Sequence, residues 1–324
     1  MVLTSRRRIW RRCWGFLTLA QQSGWRVSCG LWIGVVGQGF VVVAGAAVGE
    51  NWGMIENRML PAALGLEGLG ELDARGGFEL AASAGYRGIA FATNHGELNP
   101  EALGPSARRQ VRALLAGRGL VVESVRTAAP RGGLAESGTI DRTLDQARKA
   151  MMLAREMGVG TVSLYAGMLG EGREGAVPGG VPEGTVVAAL RELAQQADAS
   201  GLTLALSAGG GMEALARVLK AVDFPRAKVN LEGAGLIGAG EDVLKAAEWM
   251  AGSVGQMTAS DAIRAGRGVR VAMLGEGQLP LRKLAELLRE QGFVGPWVVD
   301  VRELGDGVGA ARHAAEVLRG VMGE

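Results

Sequence analysis

From residue 60 onward the chain alternates two hydrophobic patterns. Short, nearly unbroken apolar runs, such as Leu60 to Leu66 and Gly88 to Ala92, are bounded by glycine or polar residues. Between them lie longer stretches in which apolar side chains recur every three or four positions, as Ile140, Leu144, Ala147, Met151 and Ala154 do. Runs of the first kind suit strands buried on both faces; the second spacing suits helices with one buried stripe.

The patterns predict strands over 60–66, 88–92, 120–126, 161–165, 202–206, 227–231, 254–258 and 296–301. They predict helices over 76–84, 105–118, 139–157, 183–199, 212–222, 241–250, 281–291 and 308–321. Gly85 and Gly158 stand just past two helix ends, where a left-handed residue closes the last turn, and Pro105 opens a first turn that needs no N–H. Strands alternating with helices make βαβ units and a parallel sheet. Eight units fill the body without remainder, and an open doubly wound sheet uses fewer. The fold expected is therefore α/β, a single-domain (β/α)₈ TIM barrel over roughly 58–322 of a domain 54–324, preceded by a non-barrel extension, 1–53.

The extension differs in composition. It holds five of the seven tryptophans, both cysteines (Cys13 and Cys29) and an arginine cluster at Arg6, Arg7, Arg8, Arg11 and Arg12. Leu31 to Val48 is apolar or small apart from Gln38, Ala44-Gly45-Ala46 resembles a cleavage site, and Ser5-Arg6-Arg7-Arg8-Ile9 resembles a twin-arginine motif. These are the parts of an export signal, which would make the protein exported or membrane-anchored. The basic cluster is nevertheless set apart from the apolar run by the polar patch Gln21-Gln22-Ser23-Gly24. A richness in Trp, Arg, Gly and Cys is also what translated G+C-rich noncoding DNA yields, and then the protein proper starts near Met54 or Met59 and is cytoplasmic.

In the body, 48% hydrophobic composition supports a large core, and a net charge of +2 with interspersed signs gives no basic face for nucleic acid. No cysteine follows residue 29, which excludes a thiol nucleophile or thiolate metal site in the barrel, and nothing in the barrel reads as a membrane span. The Gly-rich segments 167–180, 209–211 and 233–240 follow strands but match no dinucleotide or P-loop pattern.

Barrel chemistry sits at the C-terminal ends of the strands. There the sequence places Arg126, Tyr165, Glu232, Thr258 with Asp261, and Asp300 followed by Arg302; His95 follows strand two in FATNHGELNP. Arg126 and Arg302 could each hold an anionic substrate or pair with a rim acid such as Glu232 or Asp300. His95 is a candidate substrate contact or general base, and Tyr165 a candidate pocket wall.

The run LGEGQLPLRKLAELLREQGFVGPWVVDV supplies Gly275-Glu276-Gly277, Gly292-Phe293, Gly295 and Asp300. It resembles the ending of xylose isomerase-like TIM barrels, the superfamily of sugar phosphate isomerases and epimerases, and the segments AASAGYRGIAF and AREMGVGTVSL resemble earlier parts of that fold. The resemblance implies a divalent metal, Mn²⁺, Mg²⁺ or Co²⁺, held by Glu, Asp, His and Glu at the ends of strands five to eight. Carried onto this chain, those positions are Ser207, Glu232, Thr258 and Asp300, with Asp261 completing the strand-seven motif. Two carboxylates survive with exchanged lengths and two ligands become hydroxyls, so the implied metal site is degenerate, with Glu232 and Asp300 its remaining ligands. An endonuclease IV-like role is excluded, because such a centre needs several histidines and the chain has only His95 and His313.

Three functions follow. The barrel is a sugar isomerase or epimerase with an altered metal site, Glu232, Asp300 and His95 carrying the chemistry and Arg126, Tyr165, Ser207, Thr258, Asp261 and Arg302 the substrate. Or it is an inactive barrel that binds a carbohydrate or a protein. Or it is a lyase or hydrolase that uses Glu232, Asp300 and His95 without metal. The resemblance implies a small carbohydrate-like ligand and is compatible with a homo-oligomer.

Overall fold

The computed structural model describes residues 28–36, 39–47, 60–170, 180–266 and 268–322. The chain divides into two units, 1–59 and 60–324. In the first, Ser28–Val36 and Gly39–Ala47 pair antiparallel. The arginine cluster behind the export reading lies outside the described residues.

The second unit is a closed barrel of eight parallel strands. They are β1 (Leu60–Gly65), β2 (Tyr86–Ala92), β3 (Val121–Arg126), β4 (Thr161–Met168), β5 (Thr203–Gly209), β6 (Ala227–Glu232), β7 (Val254–Ala259) and β8 (Trp297–Val299). Each pairs with the next, and β8 closes the ring on β1 through Val298–Ala63 and Val299–Leu64. All eight strands fall where the apolar runs lie, because a strand covered on both faces is largely apolar, with Ser124, Ser163, Asn230 and Gln256 as buried polar exceptions.

The enclosing helices are α1 (Ala74–Ala84), α2 (Pro105–Ala116), α3 (Ile140–Met157), α4 (Glu183–Ala199), α5 (Met212–Val222), α6 (Gly233–Ala239), α7 (Val243–Trp249), α8 (Leu281–Glu290) and α9 (Gly307–Met322). Asp73 caps α1 by accepting from the Gly76 amide at 2.7 Å, while Gly85 and Gly158 end α1 and α3 with φ of 86° and 73°. The main core lies between sheet and helices, where Leu64, Ile89, Phe91 and Leu206 meet Phe78, Leu153, Leu190 and Leu193. Inside the barrel the apolar content shrinks to Ala63, Ala90 and Val298, leaving room for polar side chains above them. No helix among the described residues is long and apolar enough to cross a membrane.

Two local features depart from the predicted elements. The helix expected over 241–250 is preceded by a further one, α6, with Gly240 (φ 77°) between them; Asp242 then starts α7 by accepting from the Leu244 and Lys245 amides at 3.1 and 3.2 Å. Between β7 and α8 the chain also forms an antiparallel hairpin, Asp261–Ala265 with Gly268–Ala272. Its organiser is Asp261, whose Oδ1 accepts from the Ala262 and Leu279 amides (2.8 and 2.9 Å) and Oδ2 from those of Gly275 and Gly277 (both 3.0 Å).

Candidate functional site

A cavity of about 530 Å³ opens at the N-terminal end of the barrel, where glycines and the start of most strands line it. The chemistry-bearing residues gather at the other end, which is where side chains from many strand ends can converge. Three cavities of about 20, 170 and 350 Å³ share walls there, and Glu232 lines all three.

Glu232 ends β6 with its side chain facing the barrel axis, as does Asn230 two residues earlier, since alternate strand residues share a face. A directed chain of hydrogen bonds leads to it. Ser124 on β3 donates to Gln256 Oε1 on β7 (2.6 Å), and Gln256 Nε2 donates to Thr258 Oγ1 (3.3 Å). Thr258 then donates to Asn230 Oδ1 (2.9 Å), and Asn230 Nδ2 to Glu232 Oε1 (3.3 Å). Ser124, Gln256, Thr258 and Asn230 are all buried, so these bonds form where unmade ones would be costly. Ser207, facing Tyr165 across β5 and β4, also bonds to Glu232.

Burial raises the Glu232 pKa above the usual carboxylate range. The Arg302 charge opposes the rise and the Asp300 charge adds to it, while Ser207 and Arg126 oppose it further. Burial also raises the Tyr165 pKa, against a backbone bond at Gly209 and together with the charges of Glu232 and Glu136.

Asp300 and Arg302 form a local fork. Arg302 Nε lies 2.9 and 2.8 Å from the two Asp300 oxygens, a terminal guanidinium nitrogen also reaches Oδ2, and the Arg302 amide donates to Oδ1 at 3.0 Å. Burial works against the Arg302 charge, but the bond and charge of Asp300, then Glu232 and Glu67, raise its pKa further. Arg126 pairs with neither of the acids anticipated for it; it lies 3.4 Å from Glu67.

Of the residues the sequence proposed, Glu232, Arg126, Arg302, Thr258, Asp300, Tyr165 and Ser207 line these cavities, and His95 and Asp261 line none of them. His95 precedes a short 3₁₀ turn, Gly96–Leu98, beyond β2. The Asp261 carboxylate accepts from four main-chain amides, that of Ala262 in the hairpin and those of Gly275, Gly277 and Leu279 beyond it. Glu67 was missed, although it directly follows the apolar run of β1; it lines two of the cavities and accepts from the Ala92 amide. Two further hydroxyls in the largest rim cavity, Thr127 Oγ1 and Ser163 Oγ, are buried without a hydrogen-bond partner.

The family-type metal does not fit these residues. Both Asp300 oxygens are engaged by Arg302, the Thr258 hydroxyl donates to Asn230, and Ser207 bonds to Glu232. Among the described residues no group of three or more His, Cys, Asp or Glu is placed to hold a metal ion.

A family model described as a xylose isomerase-like TIM barrel matches residues 78–321. No curated protein matches the chain in sequence. A xylose isomerase domain protein from Planctomyces limnophilus superposes with a TM-score of 0.67 and 18% identity, over 81% of this chain and 96% of that one. A xylose isomerase-like TIM barrel protein from Mycobacterium smegmatis, in complex with magnesium, gives 0.67 and 17% over 82% and 97%. The 3-keto-D-glucoside 4-epimerase of E. coli gives 0.64 and 16% over 81% and 99%. At such identities these likenesses show the fold alone; the family match shows membership. The chain belongs to the xylose isomerase-like TIM barrel family.

Proposed function

We propose that this xylose isomerase-like barrel binds a small carbohydrate or polyol in its C-terminal mouth and acts on it as an isomerase or epimerase, with the family metal site altered at Ser207, Glu232, Thr258 and Asp300. The observation that carries the reading is Glu232: a carboxylate of raised pKa at the junction of three cavities, where a ligand entering any of them meets it. Such a group holds a proton more readily than an ordinary carboxylate, which suits it to proton transfer.

On this reading Glu232 removes a proton from a carbon beside a carbonyl. The guanidinium of Arg302 or Arg126 stabilises the charge that develops on the carbonyl oxygen, and Glu232 or a neighbouring group returns the proton. The unpaired hydroxyls of Thr127 and Ser163, with Asn94 and Tyr165 in the same lining, offer partners to a ligand rich in hydroxyls. Arg131, exposed at the edge of that cavity, could meet an acidic substituent.

The test is solvent exchange. The protein is incubated in D₂O with ketoses, keto-glycosides and inositol ketones, and deuterium entering the carbon next to the carbonyl is followed by NMR. Exchange by the native protein and none by Glu232→Gln supports the reading. Saturable binding with no exchange favours a carbohydrate-binding barrel without catalysis, which is the second reading because Arg302 already takes both oxygens of Asp300. Absence of binding by every compound overturns both.

A further inference from the structure

We propose that Arg302 is the built-in cation of this mouth, holding together the strand-end acids that a divalent metal would otherwise gather, so that the site is complete without a metal.

Three acids line one cavity with Arg302: Glu67 after β1 and Asp300 after β8, which are neighbouring strands, and Glu232 at the end of β6. Carboxylates crowded into a half-buried space repel one another, and such a cluster persists only with a compensating cation or with protons. Arg302 meets that need by geometry. It forks onto both oxygens of Asp300 and lies near enough to Glu232 and Glu67 to feel both charges. A guanidinium stays charged at any working pH, and its planar donors match a carboxylate edge as a point-like ammonium would not.

The position is locally enforced. Arg302 follows Asp300 by two residues, its amide bonds back to the Asp300 carboxylate, and the chain then turns through Glu303 at a φ of 68°. Pairing two groups so close in sequence costs little loop entropy, so the cation is present as soon as this turn forms. The cavity that all three acids share with Arg302 holds about 20 Å³, roughly what one water needs, and it opens beside the 350 Å³ cavity that Glu67, Glu232 and Arg302 also line. Arg126, 3.4 Å from Glu67, adds a second fixed positive charge on the far side.

The test uses the full chain and no sugar, so its result is independent of the ligand proposed above. Native protein is titrated with Mn²⁺ and Mg²⁺ by calorimetry, and its thermal unfolding is compared with and without EDTA. No saturable heat and an unchanged midpoint are expected. Arg302→Met, which keeps the side-chain bulk, is expected to bind Mn²⁺ at least about tenfold more tightly than the native protein and to unfold earlier near pH 8. Added Mn²⁺ should restore the midpoint. Arg302→Lys keeps a cation and should gain no Mn²⁺ affinity. Stoichiometric Mn²⁺ binding by native protein, or a midpoint that falls with EDTA, overturns the proposal. So does an Arg302→Met protein that neither gains Mn²⁺ affinity nor unfolds earlier than the native protein. If Arg302→Met folds at no pH, the native titration and the lysine variant decide: an Arg302→Lys protein that gains Mn²⁺ affinity also overturns it.

Discussion

Ser124 and Glu232 stand at the two ends of one hydrogen-bond chain that crosses the barrel, every donor along it pointing toward the Glu232 carboxylate. The direction matters, because donors aligned toward an acceptor polarise one another and favour its charged form. Burial pushes the same group toward its neutral form. The balance between the two sets how readily Glu232 gives and takes a proton.

Glu232→Gln is expected to lower proton exchange about 100-fold or more while ligand binding persists, since the amide keeps the shape but cannot act as base. In native protein, exchange should rise with pH through a midpoint above the usual carboxylate range. Stability carries the opposite sign. A carboxyl whose pKa is raised by folding favours the folded state below its unfolded pKa, and that advantage disappears as pH rises through the folded value. The melting midpoint of Glu232→Gln relative to native should therefore climb as pH rises from the unfolded carboxylate value through the folded one, read by calorimetry at each pH.

Thr258→Val keeps the shape of a buried side chain but removes the middle of the chain. Gln256 Nε2 loses its acceptor and Asn230 Oδ1 its donor. Stability should fall by about 2 kcal/mol in urea unfolding, the cost of stranded polar groups in a buried setting. The midpoint of the exchange profile should also move up, because the donors that favour the Glu232 anion are no longer aligned. A stability loss with an unmoved profile would mean that the chain is scaffold only.

Asp261→Asn should destabilise the barrel by about 2–4 kcal/mol, as one end of the side chain changes from accepting two amides to opposing them. Ligand affinity, measured by calorimetry on the folded fraction, should change less than about threefold, because the residue lines none of the rim cavities. A selective loss of affinity with stability intact would return Asp261 to the binding site.

Gly68→Ala reaches the mouth from behind. Gly68 has a φ of 91°, and a Cβ there would stand 2.8 Å from both the amide nitrogen and the Cα of Arg302. Backbone must move to admit it, and the residue that moves is the guanidinium carrier. Stability should drop by about 1–3 kcal/mol, and the variant should begin to bind Mn²⁺ as the fork onto Asp300 loosens.

Much of the fold could be read in the sequence because every strand is covered on both faces and so appears as an apolar run. The hairpin after β7 left a weaker mark. Its strands are only five residues long, and Ile263 pairs with Arg270 and Arg264 with Val269, so neither face is consistently apolar. The break before α7 was carried by Gly240 and the capping Asp242, and apolar spacing is blind to such signals.

At the site, Ser207, Glu232, Thr258 and Asp300 were legible because strand ends are predictable once the strands are. Glu67 had the same signal at the end of β1, but a search guided by metal ligands on strands five to eight passed over it. Ser124, Asn230 and Gln256 lie inside apolar runs. Only the ring, by turning alternate residues toward one axis, reveals that they touch.

Closure of the ring has a consequence for the order in which the protein becomes functional during synthesis. β8 is three residues long and meets β1 at two register positions, and Asp300 and Arg302 follow it immediately. A nascent chain that has emerged as far as α8 already owns seven strands, Glu67 and Glu232, but neither residue of the fork. Until β8 inserts, the mouth has an open seam and, among the described residues, Glu67 and Glu232 have only Arg126 as a cation. The segment that carries β8 thus seals the cylinder and brings the Arg302 guanidinium to the mouth in one event, so molecules that lack it have an open ring and no fork.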